Sequence, residues 1–179
     1  SIINDRVGNS SSDQNNDNND EIIASENSMY KSKEYWDNRF EKESSYDWLL
    51  TYQQIKSSIS QFLQPNQRIL IIGCGNSSFS SELYDDGFHH IVNIDFSKVV
   101  IENMQELNKS RSEMTWLEMD MCHLTFENNS FDLVIDKASM DALLVDEGSV
   151  WEPSEEVIGN VHQMCSEMSR VLTSNGVFL

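Results

Sequence analysis

The sequence predicts an α/β protein whose doubly wound, mostly parallel sheet is covered by helices on both faces. From residue 69 onward, short apolar segments alternate with helical patterns, which is the order of successive β-α-β units. The first of these segments, residues 69–72, is apolar at every position, as expected of a parallel strand that is buried on both sides. The crossovers between such strands are expected to be right-handed.

The predicted elements follow one another at short spacing. Strands are expected at residues 69–72, 91–95, 114–119 and 131–136, and a fifth begins at residue 177 after a turn at 174–176. Helices are expected before the first strand and after strands one, two and four, the last with Val157, Val161, Met164, Met168 and Val171 on one face. Ser77 or Ser78 can cap the helix after strand one, and Ser97 can cap the next.

The first 28 residues differ in composition from the remainder. Ser, Asn, Asp and Gln dominate this segment, so it has too little apolar surface to offset the entropy lost on ordering. We therefore predict a disordered polar tail over residues 1–28 and a single folded domain over residues 29–179.

Charge and cysteine content narrow the range of partners and compartments. The formal net charge of −18 argues against nucleic acid or an anionic membrane as the main partner. The same charge would suit a basic protein substrate. An equally open alternative is that the charge only keeps the protein soluble. The three cysteines are scattered without metal-ligand spacing, which predicts reduced thiols, no metal site and a cytoplasmic protein.

Unusual residues stand where three predicted strands end, which is where ligands bind in open α/β sheets. Gly73 and Gly75 follow strand one, where missing side chains let backbone N–H groups approach a ligand. Asp95 ends strand two, where a carboxylate can accept both ribose hydroxyls of an adenosine. Asp120 and Met121 end strand three, where an acceptor and an apolar side chain suit an adenine ring.

The glycine pattern also limits the kind of nucleotide. A dinucleotide loop has the pattern G-x-G-x-x-G, and here the third position is Ser78, which disfavours NAD or FAD. The pattern remains compatible with a ligand that lacks a pyrophosphate, such as S-adenosylmethionine (SAM). The chain also has no Gly-Lys-Ser/Thr loop for ATP.

Four stretches together resemble one group of enzymes. They are residues 34–37 (Glu-Tyr-Trp-Asp), 46–48 (Tyr-Asp-Trp), 73–77 (Gly-Cys-Gly-Asn-Ser) and 136–144 (Asp-Lys-Ala-Ser-Met-Asp-Ala-Leu-Leu). The chain is similar, from about Tyr30 to Leu179, to the methyltransferase-like proteins that modify translation elongation factor 1-alpha, above all to the lysine-methylating members. The resemblance implies a Rossmann-like, SAM-dependent methyltransferase with a seven-stranded sheet, SAM as cofactor and a protein lysine as substrate.

The resemblance also implies roles for single residues. Trp36, Phe40 and Tyr46 would surround the cofactor, and Gly73, with Gly75 beside it, would lie against its methionine moiety. Asp95 and Phe96 would hold the ribose, Asp120 and Met121 would meet the adenine, and Lys137 would lie near the cofactor or the substrate entrance. Asp136 and Asp141 are the nearest carboxylates that could orient or deprotonate an amine, but each could equally cap a helix, so the catalytic residue stays unassigned.

Three interpretations remain open from the sequence. The first is a protein lysine methyltransferase, and the second is a non-catalytic protein that binds SAM or a partner. The third is an aminopropyltransferase or oxidoreductase on a similar sheet. Since the sequence stops three residues into the predicted fifth strand, we expect a C-terminally incomplete domain with reduced stability and activity.

Overall fold

A computed structural model describes residues 27–145 and 152–179 and confirms the predicted parallel α/β architecture. Its strands are β1 (Ile69–Ile72), β2 (Ile91–Asp95), β3 (Thr115–Glu118), β4 (Phe131–Asp136) and β5 (Leu172–Phe178). They form one sheet in the order β3-β2-β1-β4-β5, and every neighbouring pair is parallel. The chain order reverses direction between β1 and β4, which places the topological switch point at the end of β1.

In the described ranges, six α-helices connect and cover these strands. They are α1 (Lys33–Lys42), α2 (Tyr52–Ile59), α3 (Phe79–Asp85), α4 (Lys98–Leu107), α5 (Ser139–Leu144) and α6 (Glu155–Val171), with 3-10 helices at Asn27–Lys31 and Ser60–Phe62. The Ser97 hydroxyl accepts a hydrogen bond from the Val100 amide, so its predicted role as the cap of α4 is confirmed. At α3 the cap is Ser78, but it is the Ser77 hydroxyl that accepts a bond from the Phe79 amide.

The core lies on both faces of the sheet, as the continuous apolar run in β1 predicts. Ile69 and Ile71 pack with Phe79 and Val100 on the face that α3 and α4 cover. On the opposite face, residues 70 and 72 pack with three residues of α6, namely Met164, Met168 and Val171. Alternate side chains of one buried strand therefore hold both helical layers to the sheet.

The fifth strand and the helices before it differ from the prediction. β5 begins at Leu172, which lies opposite Phe131, and Val177 lies opposite Leu133. Between these two pairs, β5 advances by five residues while β4 advances by only two. The predicted turn at 174–176 is therefore a bulge inside β5. The sequence pattern also missed the short helix α5, and Val161 is only half-buried in α6.

Most of the predicted polar tail lies outside the described residues. The predicted boundary after residue 28 falls inside the 3-10 helix Asn27–Lys31. In the two described ranges, no helix combines the length and apolar character needed to cross a membrane.

Candidate nucleotide site

A tight glycine turn, residues 73–77, follows β1 at the switch point of the sheet. Gly73 and Gly75 have φ angles of +54° and +52°, a left-handed conformation that is unfavourable for residues with a β-carbon. The Cys74 amide donates to the Ile94 carbonyl at 3.0 Å, which fixes the turn against β2. Burial strongly raises the pKa of the Cys74 thiol, which disfavours the reactive thiolate form.

Asp95 is buried at the end of β2, directly beside the glycine turn. One carboxylate oxygen accepts from the Gly75 amide at 3.0 Å, and the other accepts from the Ser97 amide at 2.9 Å. The residue is only 5% exposed, and burial raises its pKa from an ordinary 3.8 to about 6. Because a carboxylate has about four acceptor positions, the two amide bonds leave room for two more donors.

Asp120 and Met121 lie in the turn that follows β3, next to the end of β2. The Met119 amide donates to the Asp95 carbonyl at 2.9 Å, which holds the two strand ends together. Asp120 is exposed; its carboxylate accepts from the Cys122 amide and lies 2.8 Å from Nδ1 of His123. Met121 is half-buried against the core on the α6 face. The structure therefore brings the ends of β1, β2 and β3 together, as predicted.

The aromatic helix α1 crosses this edge of the sheet. A β-carbon built on Gly75 would lie 3.7 Å from the Phe40 ring, and that ring stacks on Trp36 with centroids 5.5 Å apart. At the start of α1, Lys33 Nζ donates to the Phe96 carbonyl at 2.6 Å, while Asp37 accepts from the Ser97 hydroxyl. Residues of α1 thus contact both the glycine turn and the residues that flank Asp95.

Sequence reasoning missed Arg39, which is the centre of the aromatic cluster. Its guanidinium lies 5.0 Å from the Tyr46 ring centroid, 4.9 Å from that of Trp48 and 5.7 Å from that of Trp36. It is 5% exposed and forms an ion pair with Glu43 at 3.1 Å. The available signal was a single arginine among the aromatic residues of segment 35–48. Tyr46 packs on this cation and is itself 38% exposed.

Ser139 is a second residue that the sequence pattern did not single out. Its hydroxyl donates to the Ile72 carbonyl at 3.0 Å. A β-carbon built on Gly73 would lie only 2.0 Å from the Ser139 hydroxyl oxygen. Asp136 holds Ser139 in place, because its carboxylate accepts from the Ser139 amide at 2.7 Å and the Met140 amide at 3.0 Å. The Asp136 carboxylate therefore binds the first two amides of α5, although the N-cap residue of that helix is Ala138, and burial raises the pKa of Asp136.

Lys137 is half-buried just after β4. Its ammonium group binds residues in the connection between α1 and α2. Nζ lies 3.1 Å from Oδ1 of Asp47 and donates to the Trp48 carbonyl at 2.8 Å. Asp47 also accepts from the hydroxyls of Ser77 and Ser78 in the glycine turn and at the start of α3. Burial lowers the pKa of Lys137, and the bond to Asp47 opposes that effect.

Within the described ranges, no group of His, Cys, Asp and Glu could hold a metal ion.

A parallel sheet with a glycine turn and a buried carboxylate at its switch point defines a Rossmann-like nucleotide-binding protein. The chain belongs to the methyltransferase domain family, whose sequence profile matches residues 70–179. This membership, together with the relatives described next, confirms the resemblance drawn from the sequence and the predicted cofactor, S-adenosylmethionine.

Relatives extend the similarity to the N-terminal aromatic segment. The chain is 36% identical over 161 residues to the eEF1A lysine and N-terminal methyltransferase of Bos taurus, covering 88% of this chain and 22% of that protein. It is 34% identical over 160 residues to EEF1A lysine methyltransferase 4 of Mus musculus, covering 88% of this chain and 63% of that protein. The chain thus spans about a fifth of the first relative and less than two thirds of the second.

A solved structure shows the same fold. The chain is similar to phosphoethanolamine N-methyltransferase 1 of Haemonchus contortus, solved in complex with phosphoethanolamine and S-adenosylhomocysteine. The TM-score is 0.59 at 21% sequence identity, over 85% of this chain and 31% of that one.

Proposed function

We propose that the protein transfers a methyl group from SAM to a lysine side chain of another protein, with elongation factor 1A as the first substrate to test. The relatives named for eEF1A methylation support this substrate, since they match 88% of the chain at 34–36% identity. The net charge of −18 would favour encounter with a basic protein surface. The scattered free cysteines fit a cytoplasmic place of action.

One observation carries the proposed cofactor site: the buried carboxylate of Asp95 bonded to the Gly75 amide at the switch point. A carboxylate with two free acceptor positions fits the two adjacent hydroxyls of a ribose. We assign the ribose to Asp95 and Phe96, and the adenine to Asp120 and Met121 in the neighbouring turn.

The remaining residues of the proposed site lie around the glycine turn. SAM, when bound, supplies a methyl group on a positively charged sulfur. Gly73 and Gly75 let the chain come close to the methionine part, and the aromatic rings of Trp36, Phe40 and Tyr46 exclude water and favour the positive charge by cation–π attraction. Lys137 completes the site on the side of β4.

Cofactor entry requires side chains to move. The Phe40 ring lies against Gly75, and the Ser139 hydroxyl lies against Gly73, so both glycines are covered in this conformation. We infer that the Phe40 ring and the chain that follows α1 move outward to admit SAM and then close over it. Such closure would order the reactants and exclude water from the reaction.

The chemistry needs little from an acid or base. A neutral lysine amine attacks the methyl carbon as the bond from carbon to sulfur breaks, so correct alignment supplies most of the rate. Asp136, whose two oxygens bind backbone amides, and the half-buried Asp141 are the nearby carboxylates that could accept a proton. We leave the identity of the base open.

The test is methyl transfer to recombinant elongation factor 1A, produced in bacteria, with mass spectrometry of its lysines. With the wild-type protein, we expect a lysine whose mass increases by about 14 Da for each methyl group. Asp95→Asn should abolish this increase. Glu156→Gln, which changes an exposed residue of α6, should leave it unchanged. If the wild-type protein binds S-adenosylhomocysteine but methylates no lysine of elongation factor 1A, this substrate is wrong, and the result favours the non-catalytic binding protein that the sequence left open. Preference for decarboxylated SAM would instead identify an aminopropyltransferase.

A further inference from the structure

The connection between α1 and α2, residues 43–51, has no helix or strand, yet it carries two of the aromatic residues that pack on Arg39. Tyr46 and Trp48 lie in this connection and contact each other with ring centroids 5.2 Å apart. Its described hydrogen bonds to distant parts of the chain all end on the glycine turn, the start of α3 or the end of β4. These polar contacts, together with the packing of both rings on Arg39, hold the two rings in position.

Asp47 and Lys137 account for most of those contacts. Asp47 binds Lys137 on one side and the hydroxyls of Ser77 and Ser78 on the other. Lys137 also binds the Trp48 carbonyl at 2.8 Å, so one ammonium holds two successive residues of the connection. The side chains of Lys137 and Asp47 are only 14% and 16% exposed, so salt screens this pair less than it screens a surface pair.

We propose that the Asp47–Lys137 ion pair is a latch that holds the 43–51 connection over the glycine turn and slows cofactor release. The inference rests on the proposed cofactor site and changes the expected role of Lys137. Two of the three N–H donors of its ammonium are already used within the chain, so Lys137 acts as a positioning residue through Asp47 and Trp48. Cofactor entry and exit then require this pair to open.

Two ligands separate the latch from a direct contact between Lys137 and the cofactor. S-adenosylhomocysteine carries an amino-acid carboxylate that an ammonium could bind, whereas 5′-methylthioadenosine has the same nucleoside and sulfur without that group. A latch speeds the release of both ligands when it is broken. A direct contact with the carboxylate affects only S-adenosylhomocysteine.

The experiment measures dissociation rates of both ligands by surface plasmon resonance. We expect Asp47→Asn and Lys137→Met each to speed the release of both ligands about tenfold, and the double variant to be no faster than the singles, because all three break one coupled contact. Lys137→Arg keeps the charge and should stay within about threefold of wild type. Asp47→Asn, which preserves shape, carries the test if Lys137→Met does not fold.

A more exposed ion pair at the opposite end of strands β1 and β4 provides the control. Arg68 and Asp132 are joined at 3.0 Å where β1 and β4 begin, so Arg68→Met should lower the melting temperature without changing either dissociation rate. The latch is refuted if Lys137→Met speeds only S-adenosylhomocysteine release, if the single effects add in the double variant, or if Arg68→Met has the same effect. If the folded wild-type protein binds neither ligand, the proposed function fails together with this inference.

Discussion

The burial of Asp95 makes a prediction in which protein stability and cofactor affinity respond oppositely to pH. The carboxyl group has a pKa of about 6 in the folded chain, against an ordinary 3.8, because burial disfavours the charged form. Between these two values the folded state holds a proton that the unfolded state has released. The free energy of unfolding therefore falls as pH rises through this range and levels off above it.

The size of the effect follows from the two pKa values. Their difference corresponds to about 3 kcal/mol in all, of which about 1 kcal/mol is lost between pH 5 and pH 7. Other carboxylates also titrate in this chain, so the useful quantity is the difference between wild type and Asp95→Asn at each pH. We expect urea unfolding to show that the wild type loses about 1 kcal/mol of stability relative to Asp95→Asn between pH 5 and pH 7.

Cofactor binding should show the opposite trend. Ribose hydroxyls donate to the charged form of Asp95, so the affinity for S-adenosylhomocysteine should rise about tenfold from pH 5 to pH 7 in the wild type. Asp95→Asn should bind more weakly, with little dependence on pH over this range. A stability difference that does not vary with pH would refute the buried titration, and a pH-independent wild-type affinity would refute the ribose assignment.

Two further substitutions test the packing around the site. Gly73→Ala places a methyl group in a left-handed position and 2.0 Å from Ser139 Oγ, so urea unfolding should show a loss of about 3 kcal/mol that Ser139→Gly partly restores in the double variant; an unchanged midpoint for Gly73→Ala would show that this packing is wrong. Arg39→Met removes the cation that pairs with the largely buried Glu43 carboxylate and leaves it only the bond from the Asn76 amide, so it should cost about 2 kcal/mol in thermal unfolding, part of which Glu43→Gln should restore. Equal melting temperatures for Arg39→Met and wild type would refute a structural role for that cation.

The sequence predicted the strands well because their signals are local. Continuous apolar runs at 69–72 and 133–135 have few alternatives to a buried parallel strand, and β1, β2 and β4 have the predicted bounds. The start of β5 was missed because Ser174, Asn175 and Gly176 are typical turn residues, and a bulge has the same composition as a turn. A β-carbon on Gly176 would lie 2.7 Å from Leu172, so the chain folds back tightly there within the strand.

The candidate site was predictable in position but not in contacts. Gly73, Asp95 and Asp120 could be placed from the ends of successive strands, since parallel strands bring their carboxyl ends to one edge. The partner of Lys137 could not, because Asp47 lies 90 residues earlier and meets it only through packing of the connection after α1. For the same reason, the burial of Arg39 depends on rings contributed by separate segments of the chain.

The most direct test of the account is a structure determined with S-adenosylhomocysteine bound. We expect both ribose hydroxyls within hydrogen-bonding distance of the Asp95 carboxylate, the adenine beside Met121, and Phe40 displaced from its contact with Gly75. A nucleoside bound elsewhere on the sheet, with Asp95 making no contact to the ribose, would contradict the central claim.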